Sequence, residues 1–250
     1  MAGHSKWASI KHRKAATDAK RGKLFTKLAR AITVAAREGG GDPAGNHTLA
    51  AAIEKAKGYS MPKDNIQRAI DRGTGEGDAG EIERVVYEGY GPGGAAVLVE
   101  ALTDNRNRTG AEVRNIFDKQ GGNLGEPGSV AWQFERKGVV LVDSDRYGED
   151  DLMAAIDAGA DDVAIDDDTL KVTAEPPSLT AVREALEGAG VDVESAELAM
   201  EPKAVVEVTD PTEARRLVRL IDALDEQDDV DEVHANFDIP AELLEEAEAV

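Results

Sequence analysis

Residues 138–200 read GVVLVDSDRYGEDDLMAAIDAGADDVAIDDDTLKVTAEPPSLTAVREALEGAGVDVESAELAM, and the succession of periods in this stretch decides the fold. The apolar run Val139–Val142 predicts a strand, Glu149–Ala158 a helix, Asp162–Ile165 and Leu170–Ala174 two strands, Leu179–Gly188 a second helix and Val193–Met200 a fourth strand. That order, β-α-β-β-α-β, is the ferredoxin-like one.

Downstream, Ala204–Val208 predicts a strand. A helix then opens at Asp210-Pro211-Thr212-Glu213, where Asp210 can cap, Pro211 suits the first turn and Glu213 can complete a capping box. A last strand is expected at Val230–Phe237, and the tail from Ala241 reads as a short acidic helix or a frayed end. Upstream, strands are expected at Arg84–Tyr90 and Ala95–Leu102 around the turn Gly91-Pro92-Gly93-Gly94, then a helix at Thr109–Gln120. Val130, Trp132 and Phe134 alternate as one face of a further strand. Each flanking set alone would be an incomplete sheet, so the two are expected to pair. The expectation is an α+β fold of three domains. Residues 1–78 form an all-α helical domain, 79–137 plus 203–240 a discontinuous α/β domain, and 138–202 an acidic ferredoxin-like α/β domain inserted into it.

The helical domain rests on a run from Lys14 to Glu38, with Leu24, Phe25, Leu28, Ile32 and Ala35 at helical spacing and Gly39-Gly40-Gly41 as its stop. A second helix is expected over Asn46–Lys57 on Leu49, Ile53 and Ala56. A third follows Ser60 with Pro62 in its first turn and ends before Gly73. Gly73–Asp78 reads as a linker.

The net charge of -21 conceals two opposite populations. Residues 1–72 hold 15 Lys+Arg against 6 Asp+Glu, whereas residues 73–250 hold 14 against 44, with 33 of those acids after Val142. The absence of cysteine excludes disulfides, thiolate zinc sites and Cys nucleophiles. No run of about 18 apolar residues spans a bilayer, no secretory core opens the chain, and Ala2 stands where myristoylation needs glycine. A cytoplasmic protein is expected.

The strongest local signal is Lys11–Arg30, which holds Lys11, Arg13, Lys14, Lys20, Arg21, Lys23, Lys27 and Arg30 against the single acid Asp18. On a helix Lys20, Lys23, Lys27 and Arg30 line one side and Leu24, Leu28 and Ile32 another, a basic stripe backed by an apolar one that suits phosphate binding. Before it, His4, Lys6, Trp7 and His12 make an extended arm, in which Trp7 is either a base-stacking ring beside phosphate-binding cations or an anchor on the domain core. The Gly58-Tyr59-Ser60-Met61 spacing is compatible with a helix-turn-helix exposing Lys63, Gln67 and Arg68, and equally with ordinary helix packing. Thr103–Thr109 offers Arg106 and Arg108 at a helix N-terminus. They either hold an anion there, or pair with local acids while Asp104 or Thr109 caps the helix.

No constellation gives catalysis an address. Gly89, Gly91 and Gly94 satisfy G-x-G-x-x-G but sit in a hairpin with Pro92 inside it. The glycines of 121–128 lack a P-loop lysine. Asp166-Asp167-Asp168 lacks the alternating ligands of a calcium loop and reads as a solvated hairpin tip. The four histidines show no ligand spacing, so no cofactor or metal is expected.

The run Met1-Ala2-Gly3-His4-Ser5-Lys6-Trp7, continued by Ile10–Ala16, Asp18–Lys23 and Phe25-Thr26-Lys27-Leu28, resembles the YebC family. Tyr87–Pro92, the Thr103–Thr109 loop and Gly128-Ser129-Val130 carry the resemblance along the rest of the chain. It implies a three-domain fold, no cofactor, a cytoplasmic location and, since the chain opens on the family's own first motif, a bacterial source without a transit peptide. It also implies a non-enzymatic DNA-binding transcriptional regulator. The alternative is a ribosome- or RNA-associated translation factor that relieves stalling at proline-rich stretches, since a mitochondrial relative is a translational activator. The expected partner is nucleic acid, DNA or ribosomal RNA, with no membrane and no small-molecule substrate, and a monomer is the default. Lys and Arg contact phosphates of either polymer, so the residues alone do not choose.

Overall fold

The computed structural model describes residues 18–75, 82–166 and 169–248. In chain order the helices are α1 (Asp18–Gly39), α2 (His47–Gly58) and α3 (Lys63–Gly73), followed by strands β1 (Glu83–Tyr90) and β2 (Ala96–Thr103). Next come α4 (Arg106–Gln120), β3 (Asn123–Leu124), β4 (Phe134–Asp143), α5 (Met153–Asp157), β5 (Ala160–Asp166), β6 (Thr169–Ala174), α6 (Leu179–Gly188) and β7 (Val193–Pro202). The chain closes with β8 (Val206–Glu207), α7 (Pro211–Asp225), β9 (Val230–Ala235), β10 (Phe237–Asp238) and α8 (Ala241–Glu248). The class is α+β, with helices first and strand-rich sheets after them. Packing gathers the described residues into two compact units, one from 80–135 and 201–250, the other from 9–79 and 136–200.

In the second unit the three helices close on Leu28, Ile32, Leu49, Ile53, Ala56 and Ile66. The helix α1 meets α3 closely because Gly73 has no side chain: a Cβ there would collide with the carbonyl oxygen of Thr33. Thr33 Oγ1 donates to Ala29 O at 2.8 Å and to Ala69 O at 3.0 Å across the same crossing. Asn46, 6% exposed, joins α1 to α2. Its Oδ1 accepts the Leu49 amide at 3.0 Å, while Nδ2 donates to Ala35 O at 2.8 Å and Gly40 O at 2.9 Å. The same unit holds a sheet in the order β5-β6-β4-β7, in register Gly138↔Ala174 and Ile165↔Leu170. The apolar residues of 138–191, including Val140, Val172, Leu152, Val182 and Leu186, cover one another, and Ala51 of α2 joins that core. Lys55 pairs with Glu197 at 2.9 Å and Arg183 with Glu54 at 3.1 Å. Ala51 in the sheet's core and two ion pairs thus join the basic helices to the acidic sheet.

In the first unit the sheet order is β3-β1-β2-β9, and Val97 of β2 opposes Ala235 of β9. Strands that precede and follow the other sheet in the chain are therefore hydrogen-bonded neighbours. The β1–β2 hairpin pairs Tyr90 with Ala96 across Pro92-Gly93-Gly94, where Gly93 and Gly94 have φ of 74° and 78°. The α4 face meets β1 at Gly89, where a Cβ would lie 2.7 Å from the Phe117 ring. Asp210 caps α7 as expected, its Oδ1 accepting from the Thr212 amide at 2.8 Å and the Glu213 amide at 2.9 Å, with Pro211 at the first helical position.

Several local expectations need correction. Residues 130–134 are not a strand: Ala131–Gln133 is a single 3-10 turn, and β4 begins only at Phe134. The cause is Glu88, which draws in the amides of Val130 and Ala131 and curls the chain. The helix expected at Glu149–Ala158 is a 3-10 turn, Glu149–Leu152, running into the five-residue α5. The strand at Ala204–Val208 shrinks to β8, a two-residue parallel partner of β10. The tail takes the first of its two expected forms, a short acidic helix, with Leu244 fully buried. Asp167 and Asp168 lie outside the described residues.

Candidate nucleic-acid interface

The α1 stripe lies where helical geometry places it. Lys23 is exposed and Lys27 and Arg30 are half-buried, whereas Leu28 and Ile32 are 5% and 0% exposed. Steps of four and three residues bring the three cations onto one side of the helix, as rows i, i+3 and i+4 must. Lys20 and Arg21 belong to the first turn of α1, but their side chains lie outside the described residues. So do Lys6, Trp7, Lys11, His12, Arg13 and Lys14 entirely.

The α3 face has a different character. Lys63, Gln67 and Arg68 are exposed, but Gln67 Nε2 donates to Asp71 Oδ1 at 2.8 Å. Arg68 turns back on its own helix, donating from Nε to Asp64 O at 3.1 Å and from Nη2 to Asn65 Oδ1 at 2.7 Å. Ser60, in the turn before it, has a φ of 59°.

Arg106 and Arg108 open α4 and so belong to the other unit from α1. The cap is Asn105, not Asp104 or Thr109: its Oδ1 accepts the Arg108 amide at 3.1 Å. Arg108 Nη2 donates to Asp229 Oδ2 at 2.7 Å and Asp104 Oδ1 at 2.9 Å, and these bonds, Asp229's first, push its guanidinium further up. Asp229, 6% exposed, also accepts from Thr109 Oγ1 at 2.7 Å. Arg106 is exposed, and its carbonyl accepts from Tyr87 Oη at 3.1 Å.

Two acids, buried Glu88 and half-buried Glu100, escaped the sequence reading. Glu88 is 7% exposed; its Oε1 accepts the Gly128 amide at 2.6 Å and its Oε2 those of Val130 and Ala131, each at 2.7 Å. Burial alone would raise its pKa, but the three amide donors hold the carboxyl below its ordinary value. Its position between Val86 and Tyr90 on one face of β1 was the available signal. Glu100, on the same face of the sheet, faces Arg84 at 2.8 Å and His234 Nε2 at 3.5 Å. Its burial opposes ionisation, but His234 and then Arg84 bring its pKa down. No helix among the described residues is long and apolar enough to cross a membrane.

Comparison with known proteins adds a lineage to this geometry. Residues 5–76 match the model of the TACO1/YebC protein N-terminal domain, and residues 82–237 that of the TACO1/YebC second and third domain. A probable transcriptional regulatory protein of Rubrobacter xylanophilus is 61% identical over 248 residues, covering 98% of this chain and 99% of that protein. One of the same description from Halothermothrix orenii is 54% identical and covers 98% of each. The crystal structure of a conserved hypothetical protein from Aquifex aeolicus matches with a TM-score of 0.84 at 48% identity, over 96% of this chain and 99% of that one.

Proposed function

The chain belongs to the TACO1/YebC family, and from that premise we propose that it is a non-enzymatic, cytoplasmic regulator of gene expression, a DNA-binding transcriptional regulator whose basic helical segment grips the phosphate backbone. The observation that carries this reading is the separation of charge. In a chain of net charge -21, Lys23, Lys27 and Arg30 share one side of α1 behind which Leu28 and Ile32 form the core. Relatives named as probable transcriptional regulatory proteins support the regulatory half. Lys6, Trp7, Lys11, His12, Arg13, Lys14, Lys20 and Arg21 extend the proposed surface, with Arg106 and Arg108 as a separate patch. We read the chain as three domains, 1–78, 79–137 plus 203–240, and 138–202, the last ferredoxin-like, and as a monomer.

Binding of the intact protein and of a Lys20/Lys23/Lys27→Glu variant to promoter duplexes and to ribosomes, across a salt series, tests the reading. Sequence-selective duplex binding with a log–log salt slope near -5, for roughly six neutralised phosphates, is the expected result. The variant should flatten that slope by about 2.7, because three lysines no longer displace counterions from the backbone. Equal affinity for every duplex would overturn the transcriptional reading.

One observation favours the second reading, a ribosome- or RNA-associated translation factor acting at proline-rich stretches. The α3 helix, which a helix-turn-helix would present to the major groove, holds Gln67 and Arg68 in bonds along its own length. That leaves little for reading base edges. Ribosome sedimentation at physiological salt, lost in the same variant, would decide for it.

A further inference from the structure

Trp132 is the most exposed large apolar side chain among the described residues, at 67%, and its place is built rather than incidental. The loop beneath it is clamped by the three amide bonds to Glu88 and by Gly125 N donating to Glu88 O at 2.7 Å. Within the loop Gly128 takes a φ of 87°, and Gln133 N donates to Val130 O at 2.9 Å. Two aromatic side chains then converge on a single carbonyl: Trp132 Nε1 and Tyr90 Oη each donate to Ser129 O at 3.1 Å. Tyr90 is 38% exposed. Both rings thus have their polar atoms tied inward, which fixes their orientation and leaves apolar faces to solvent. The adjoining chain is held by Lys203 N donating to Gln133 O at 2.8 Å, which sets an exposed lysine beside the Trp132 turn.

We propose that Trp132 and Tyr90 form a stacking platform for unpaired nucleobases, with Lys203 meeting the phosphate beside them. The proposal rests on the reading of the chain as a nucleic-acid binder and adds a second binding surface in the other compact unit. Aromatic faces stack on any base, so such a platform prefers single strands without reading their sequence. The charges divide the two contacts, with the phosphate left to exposed Lys203 and only bases taken over the loop. Glu126 is exposed on the same loop and would repel a phosphate there, whereas the Glu88 carboxylate is enclosed by amides. A rigid ring already held in place loses little freedom on stacking, which is what makes such a site effective.

The chain contains two tryptophans, so the quenching that the full-length parent shows and Trp132→Phe lacks is the signal of Trp132. Titration with single-stranded 12-mers of RNA and of DNA should quench its fluorescence, the stronger polymer marking the natural source of the bases, while a duplex of the same length should not. Trp132→Ala should weaken single-strand binding by about tenfold, as one base–aromatic stack is worth. Trp132→Phe, which keeps a ring, should lose less, and circular dichroism of both variants should match the parent. Single-strand binding that is neither quenched nor weakened in Trp132→Ala, yet is abolished by Lys20/Lys23/Lys27→Glu, would overturn the platform and leave the proposed function standing. Equal quenching by duplex would also overturn it, because paired bases have no free face. Absence of binding to any nucleic acid would overturn both readings.

Discussion

A carboxylate that is nearly enclosed yet charged needs donors on both oxygens, and Glu88 has them in three backbone amides. Glu88→Gln replaces one acceptor with an NH2 group that faces an N–H donor. The variant should lose about 1–3 kcal/mol at neutral pH, as expected when a buried donor is left unsatisfied. The pH dependence has a definite sign. The folded carboxyl titrates below its ordinary value, so its contribution is present above about pH 4.3, the unfolded value, and is lost as pH falls through the folded one. Urea unfolding from pH 7 to pH 3 should show the gap between parent and variant closing as the medium becomes acid. Glu100 shifts in the same direction but is common to both proteins, so the difference isolates Glu88. At this scale the sequence was hard to read. Thr103–Thr109 displays its arginines openly, but nothing local shows that Asn105 would take the cap or that Asp229, over 120 positions away, would engage Arg108.

Elements are stabilised at their ends as much as along their faces. Asn46 caps α2 while holding two carbonyls at the close of α1, so Asn46→Ala should cost about 2 kcal/mol, at the upper end for a lost cap. Thermal melting of the full chain should fall by several degrees, and Asn46→Asp should do no better at neutral pH, because its second oxygen would face the Ala35 and Gly40 carbonyls that Nδ2 now serves. The long helices were legible because Leu28, Ile32, Leu49 and Ile53 repeat at the helical period and Asp210-Pro211 announces a start. The errors came where a distant side chain overrode a local period. Val130, Trp132 and Phe134 alternate as a strand would, yet a carboxylate more than 40 positions upstream pulls the amides of Val130 and Ala131 into a turn. Glu149–Ala158 buries only Leu152 and Ala155 and leaves Met153 and Ile156 to solvent, too narrow a buried face to sustain a full helix, and only α5 survives.

At the scale of the whole molecule the acids after Val142 do two things. Some neutralise the basic helices directly, as Glu197 does Lys55. The remainder, we propose, set up a repulsive field that limits which surface a polyanion approaches. Replacing exposed Glu149, Asp150, Asp157 and Asp162 by their amides should therefore raise non-specific duplex binding severalfold at low salt, an effect that shrinks as the Debye length falls to about 10 Å at 0.1 M. Electrophoretic mobility shifts on random-sequence DNA measure it, and unchanged affinity would refute the field. The charge split was legible by counting; that α2 of the basic helices enters the core of the acidic sheet was not, because a buried Ala51 looks like any other alanine. The pairing of β2 with β9 has a consequence in time. Val97 leaves the ribosome some 138 residues ahead of Ala235, roughly 7–28 s earlier at about 5–20 residues per second. Throughout that interval β2 carries an unsealed edge on a nascent chain, a window in which holdase chaperones have something to hold.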